Sequence, residues 1–149
     1  MTARYLVDTN ILVYAHDRSE PQKQERALEL LDRLTQSGSM ALSCQSLAEF
    51  FWVITRQINR PLSVKQAVNQ MEHFIRSWPI LNLSPLIVLE ATRGVKTYRL
   101  SYWDAQIWAS ARLNQITNIL SENFSHVQII EGIRFRNPFH SSFKLERIL

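Results

Sequence analysis

The chain carries a single cysteine, Cys44, and three glycines, and each scarcity closes off a class of answer. One cysteine can form neither an internal disulfide nor a thiolate metal cluster, which suits a reducing compartment. Among its apolar neighbours it reads as a packed thiol rather than a nucleophile. Gly38, Gly94 and Gly132 are too few and too scattered for a phosphate-cradling loop or a dinucleotide fingerprint. The four histidines, His16, His73, His126 and His140, show no metal-ligand spacing, and no serine elbow accompanies them. No apolar run approaches the length that crosses a bilayer, and the amino terminus has a broken apolar run with little positive charge. The expectation is a soluble, unexported, cytoplasmic protein with no membrane partner.

What is present is a chain of 149 residues, long enough to bury one core as one domain without staples. Its 17 Lys and Arg against 13 acids give a formal charge of +4, and its pI is ≈ 9.6. That balance permits contact with a polyanion. If several of the acids gather at one site, the remaining surface is more basic than the total suggests.

The most informative stretch is Leu6-Val7-Asp8-Thr9-Asn10. Tyr5, Leu6 and Val7 have the bulk and branching of a short buried strand, which stops abruptly on a carboxylate. Thr9 and Asn10 then open a helix through Ile11 to Tyr14. In open parallel sheets ligands sit beyond the carboxyl ends of strands, so Asp8 is placed to act, although read alone it could equally be a helix cap.

Further along, residues 16–21 read as a turn, with Pro21 suited to the first turn of a helix that carries Ala27, Leu28, Leu31 and Leu34 and stops at Ser37-Gly38. Residues 40–43 form a second strand, and a helix is expected from about Ser46 to Ile58. Ser63 opens another helix ending near Trp78-Pro79. Residues 80–83 are a third strand candidate, and Ser84-Pro85 starts a helix running toward Gly94. The segment from Tyr102 to Ile116 is apolar nearly all round, which marks a buried helix. Residues 117–120 and 127–130 are two last strands. Strands separated by helices predict a three-layer α/β/α architecture with a short, parallel central sheet of four to five strands. The segment from Gly132 onward is read as a tail, either packed on the body or partly mobile.

Four carboxylates stand out by position: Asp8 after the first strand, Glu49 in the first turns after the second, Asp104 near the start of the buried helix, and Glu122 after the fourth strand. Each has a bland alternative. Ser46-Leu47-Ala48-Glu49 is a capping-box pattern, and on a helical wheel Glu49 lies nearly opposite Leu47, Phe51, Ile54 and Ile58, alongside Arg56. Ser101 to Asp104 is a weaker version of the same cap, but an acid in an otherwise apolar helix needs a partner or a metal. Glu122 fits a surface turn with Asn123. Taken together, converging carboxylates repel unless a cation neutralises them, and an oxygen-only set suits Mg²⁺ or Mn²⁺. Such an ion lowers the pKa of bound water and stabilises charge on a phosphate, so phosphodiester hydrolysis is the natural chemistry. Trp103 and Trp108 read as core rather than as base-stacking platforms. Phe50, Phe51 and Trp52, consecutive on a helix, cannot all face one core, which leaves some of them for a partner.

The order Leu6-Val7-Asp8-Thr9-Asn10, Ser46-Leu47-Ala48-Glu49-Phe50, Tyr102-Trp103-Asp104-Ala105 and Leu120-Ser121-Glu122-Asn123-Phe124 resembles a PIN domain, and within that family VapC-type toxins of toxin–antitoxin pairs. Gly132-Ile133-Arg134 and Asn137-Pro138-Phe139 are similar to the ending common in that subgroup. The resemblance spans roughly residues 4 to 139, so that residues 1–139 form a PIN-like nuclease domain and 140–149 a C-terminal tail. It implies a Mg²⁺- or Mn²⁺-dependent endoribonuclease with Asp8, Glu49 and Asp104 in the positions of metal-binding acids and Glu122 as the fourth. Thr9, Asn10, Ser121 and Asn123 would form the supporting shell. Relatives often carry Glu-Asp where this chain has Glu122-Asn123, so Asn123 removes one negative charge if the missing Asp was a ligand. Arg93, Lys96, Arg99, Arg134 and Arg136 are the candidates for guiding RNA, each equally an ordinary solvated residue when taken alone. The resemblance also implies a protein antitoxin and a homodimer. The alternative is a catalytically weak PIN-like module that binds RNA or a partner protein, which Asn123 keeps open.

Overall fold

A computed structural model describes residues 3–148. Among them, six strands form one sheet in the order β3-β2-β1-β4-β6-β5. β1 (Tyr5–Val7) is central, with β2 (Met40–Ser43) and β4 (Asn118–Leu120) parallel on either side. β3 (Ile80–Leu81) pairs with β2, and β6 (Ile133–Arg136) with β4, both parallel. β5 (Gln128–Ile130) runs antiparallel to β6 at the edge.

Side chains alternate across the pleat, so the register divides the core in two. Tyr5, Val7, Met40, Leu42 and Leu120 join a cluster on one face with Leu12, Leu30, Leu34, Phe50 and Phe74. These come from α1 (Thr9–Tyr14), α2 (Pro21–Ser37), α3 (Cys44–Ile54) and α4 (Val64–Ser77). Leu6, Ala41, Ile119 and Phe135 join the other cluster with Ile87, Ala91, Ile107 and Trp108, from α5 (Pro85–Tyr98) and α6 (Tyr102–Leu113). The expected three layers are present, with a sheet that is larger than expected and mixed rather than wholly parallel.

The added strand is β6. Ile133 and Phe135 point into the core while Arg134 and Arg136 are half-buried on the other face, a period-two pattern. Glu131 and Gly132, at φ 48 and 81, make the tight turn that reverses the chain from β5. Beyond it the segment is packed on the body: Phe143, Leu145 and Ile148 are buried in the first cluster. Arg26 fixes this segment by donating to the carbonyls of Pro138 (2.9 Å) and Phe143 (2.7 Å).

Several helix boundaries differ from expectation, α3 ending at Ile54 rather than Ile58 and α6 at Leu113 rather than Ile116, and two of the differences have definable reasons. α3 begins at Cys44 because the Ser43 side chain accepts from the Ser46 backbone N–H, so Ser43, not Ser46, is the cap. α5 continues through Gly94 to Tyr98. Gly94 is a packing residue, since a Cβ there would lie 2.9 Å from the Trp108 ring. No helix among the described residues is long and apolar enough to cross a membrane.

Candidate active site

Asp8 follows the last residue of β1 and caps α1 by accepting from the Thr9 backbone N–H (2.8 Å). Capping uses one carboxylate oxygen, Oδ1. The other, Oδ2, accepts from the Ser121 hydroxyl (2.7 Å), which extends from the end of the neighbouring β4. Ser121 is held in turn by Asn10 Nδ2 (3.2 Å) and the Asn123 backbone N–H (3.1 Å), and Asn10 Oδ1 accepts from the Glu122 backbone N–H (3.2 Å). The short polar residues after β1 and β4 thus form one network beyond the carboxyl edge of the sheet.

This network borders a cavity of ≈ 320 Å³ that Asp8, Thr9, Asn10, Glu49 and Asn123 line together with Asp17. Burial pushes the Asp8 carboxyl up to about 6, opposed by its bonds from Ser121 and Thr9 and reinforced by the charges of Glu49 and Asp104. Burial likewise raises Glu49, again with Asp104 adding to the effect. Asp104 lies near enough for its charge to act on both carboxyls but does not line the cavity, and no Lys or Arg among the described residues pairs with any of the three. Glu49 is neither the cap nor the solvated partner of Arg56: its Oε1 is buried and has no hydrogen-bond partner. The buried Thr9 hydroxyl is also unpartnered.

Glu122 is turned elsewhere. Its carboxylate accepts from the Tyr14 hydroxyl (2.7 Å) and pairs with Lys23 (2.5 Å), so Asn123, not Glu122, faces the cavity. Asp17 borders the cavity without having been singled out; in the sequence it is indistinguishable from a turn residue, and its Oδ1 does bond Ser19.

The basic candidates separate into groups. Arg93 is held between Glu90 (2.8 Å) and Glu131 (2.7 Å). Lys96 and Arg99 are exposed at the end of α5, and Arg134 and Arg136 line a cavity of their own. Arg18 and Arg60, which the sequence did not single out, line a cavity of ≈ 480 Å³ that meets the acidic one at Asp17 and Ile58. Of the tryptophans, Trp108 is core as expected, but Trp103 is 63% exposed. Trp103 and Trp52 flank an apolar cleft of ≈ 830 Å³ that shares Glu49, Val53 and Gln57 with the acidic cavity.

The PIN domain family model matches residues 5–129, which contain all four acids. The chain belongs to the PIN domain family. Solved structures with this fold include DNA-bound VapBC from Salmonella typhimurium, at 18% identity over 92% of this chain and 99% of that one, with a TM-score of 0.67. VapBC2 from Rickettsia felis, bound to a DNA fragment from its promoter, shares 17% identity over 89% and 97% of the two chains, with a TM-score of 0.64. VapC20 from Mycobacterium tuberculosis, a toxin that cleaves the sarcin–ricin loop, shares 17% over 77% and 86%, with a TM-score of 0.59. At such identities these structures establish a common fold. No curated protein matches the chain.

Among the described residues, no three Asp, Glu, His or Cys side chains form a ready-made metal cage. The residues nonetheless fit a hard divalent cation. Mg²⁺ keeps several waters and takes one or two carboxylates plus substrate phosphates rather than a complete protein shell. An unpartnered buried Glu49 oxygen, an unpartnered Thr9 hydroxyl and a buried Asp8 provide oxygen donors without a cation from the chain.

Proposed function

We propose that this PIN domain is a Mg²⁺- or Mn²⁺-dependent endoribonuclease. The observation that carries the reading is the pair of buried, unpartnered oxygens, Glu49 Oε1 and Thr9 Oγ1, beside an Asp8 carboxyl that burial raises to about 6. Burying charge without a counterion is unfavourable unless something completes the site. Asp8, Glu49 and Asp104 would hold the cation, with Thr9 beside them. When bound, the ion supplies a water of lowered pKa and stabilises negative charge on the phosphate.

The chain's own part is orientation. Ser121, fixed by Asn10 and Asn123, holds Asp8 Oδ2, and the Thr9 N–H holds Oδ1, so the carboxylate cannot rotate away from the cavity. Asn123 presents a neutral amide where an acid would add charge. The Lys23–Glu122 pair stays a structural strut between α2 and the β4 loop. Arg18 and Arg60 are rim cations able to meet the phosphates of an incoming RNA.

Likeness of fold to VapBC assemblies supports a toxin of a toxin–antitoxin pair, acting as a cytoplasmic homodimer restrained by a protein antitoxin. The exposed Trp52, Trp103 and Leu83 around the cleft beside Glu49 give such a partner apolar surface to cover.

The test is incubation of purified protein with RNA and Mn²⁺. Cleavage should disappear in excess chelator and in Asp8→Asn and Asp104→Asn, with the fold intact by circular dichroism; undiminished cleavage in either variant defeats the proposal. One observation favours a second reading, a weakly catalytic RNA-binding module: Glu122 is committed to Lys23, leaving Asn123 at the cavity. Mn²⁺ titration followed by thermal unfolding separates the two. A metal that binds the folded state at about a hundred times its Kd adds ~2.7 kcal/mol of stability, whereas an unchanged Tm at rising metal favours the binding module.

A further inference from the structure

The strongest charged feature outside the acidic cavity lies under the C-terminal segment. Arg134 and Arg136 of β6 meet Lys144 and Arg147 around a cavity of ≈ 230 Å³, with His126 and Ser142 at its wall. Lys23 is paired with Glu122, Arg33 with Glu29, and Arg93 and Arg112 with Glu90 and Glu131. This cluster has no carboxylate partner among the described residues. Four like charges gathered around one small concavity repel one another unless an anion comes between them. The fold holds them there, because β6 is hydrogen-bonded on both sides and Phe143, Leu145 and Ile148 anchor the segment that carries Lys144 and Arg147. His126 accepts from the Asn137 backbone N–H at Nδ1 (3.0 Å), which leaves the proton of a neutral ring on Nε2 as a further donor.

We propose that this cavity binds a phosphate group of the RNA substrate, away from the scissile bond. This rests on the reading of the acidic cavity as a ribonuclease site. Guanidinium groups present planar forks that match phosphate oxygens, and a cavity of this size suits a single phosphate group. Its place in the sheet connects it to the acidic site. Arg136 is in register with Leu120, and its carbonyl accepts from the backbone N–H of Ser121, the residue that holds Asp8. Val7 and Arg136 are two strand spacings apart, about 10 Å. An RNA with one phosphodiester at Asp8 can therefore lay a neighbouring phosphate among these cations, which would fix the register of cleavage along the strand.

The experiment measures binding of a fluorescein-labelled single-stranded oligoribonucleotide by anisotropy, with the full chain in excess chelator so that no cleavage intervenes. Lys144→Gln/Arg147→Gln alters two exposed side chains and should keep the wild-type melting curve. Its RNA affinity should fall by roughly tenfold, and its log–log salt slope should shrink by ~1.4, the value for two lost contacts to a single strand. Arg134→Gln should act in the same direction, and the surface control Lys65→Gln should not. Inorganic phosphate should stabilise the wild type against heat but not the double variant. Unchanged RNA affinity and salt slope in the folded double variant overturn the proposal, and they do so even if phosphate alone binds, because the site would then serve a free anion. Since the measurement needs no metal and no turnover, loss of cleavage in every metal tested would leave its outcome standing.

Discussion

Glu90 and Glu131 have their cations supplied by the chain, whereas Asp8 and Glu49 do not. Arg93 and Arg112 lie against the first pair at 2.7 to 3.4 Å, and the carboxyls respond by ionising more readily, with the hydrogen bond from Arg93 leading the cause in both and Glu131 pulled down to about 2. In the second pair burial dominates and the carboxyls are raised, Asp8 to about 6. Both groups are negatively charged clusters assembled from distant parts of the sequence. The difference is charge pairing: in the first, a structural joint between α5, α6 and the β5–β6 turn, each carboxylate meets an arginine, even though the buried Arg112 Nε makes no well-directed hydrogen bond, and in the second no cation of the described residues meets the carboxylates. An unfinished charge site in a folded protein is where an external partner belongs.

The largest expected effect comes from changing what the unfinished site offers. Glu49→Gln keeps the size of the side chain and removes the charge. Metal-dependent RNA cleavage should fall by more than about a hundredfold, since even groups that only orient a metal ligand are worth ~10–100-fold. Stability without metal should hold or rise, because a raised carboxyl is a destabilised anion. A variant that cleaves normally but unfolds more easily would return Glu49 to a structural role.

Next in size is the response to pH, which the two groups should show with opposite sign. For Asp8 the folded carboxyl, at about 6, binds its proton more tightly than the unfolded one at 3.8. The folded state is therefore favoured at low pH, and that contribution is lost as pH rises from about 4 through 6, on the order of 3 kcal/mol in the metal-free protein. Glu131, held down at about 2, contributes stability above its ordinary 4.5 and loses it as pH falls toward 2. Denaturant midpoints of chelated wild type and Asp8→Asn between pH 4 and 7 separate these contributions. The variant should lack the fall on the neutral side, and an identical profile in both proteins would remove Asp8 as its source.

How much of this was legible in the sequence follows from the range of each interaction. β1 and Asp8 could be read because an apolar run ending on a carboxylate is a local pattern, and the three-layer order follows from the spacing of such runs. A helical wheel places Glu49 opposite the apolar face of its own helix, but it carries no information on what packs there; the cavity that Glu49 borders is completed by Asp8, Thr9 and Asn10, distant in sequence. The choice between Glu122 and Asn123 was not legible at all. In the structure the Glu122 carboxylate is held by Tyr14 and Lys23, 108 and 99 residues away, which no local reading could show. β6 was visible as the alternation Ile133-Arg134-Phe135-Arg136, but its two arginines made the segment look like a tail. Trp103 looks like core from composition and is exposed because it lies in the first turn of α6, before the helix enters the body. It is the family pattern, not any local signal, that groups Asp8, Glu49 and Asp104; of the three, Asp8 and Glu49 line the cavity.

The smallest effect tests the finished cluster. Glu90 is the better covered of its two acids, with its side chain 13% exposed between Arg93 and Arg112. Glu90→Gln leaves Arg93 its contacts with Glu131 and leaves Arg112 the longer one, at 3.4 Å. The remaining network should limit the loss to about 1 kcal/mol, the upper end for partly exposed ion pairs, read as a shift in denaturant midpoint with no change in slope. RNA cleavage should be unchanged, because no residue of this cluster borders the acidic cavity. If cleavage falls along with stability, the two carboxylate groups are coupled through α6, which carries both Asp104 and Arg112, and the division between a closed joint and an open site would have to be redrawn along that helix.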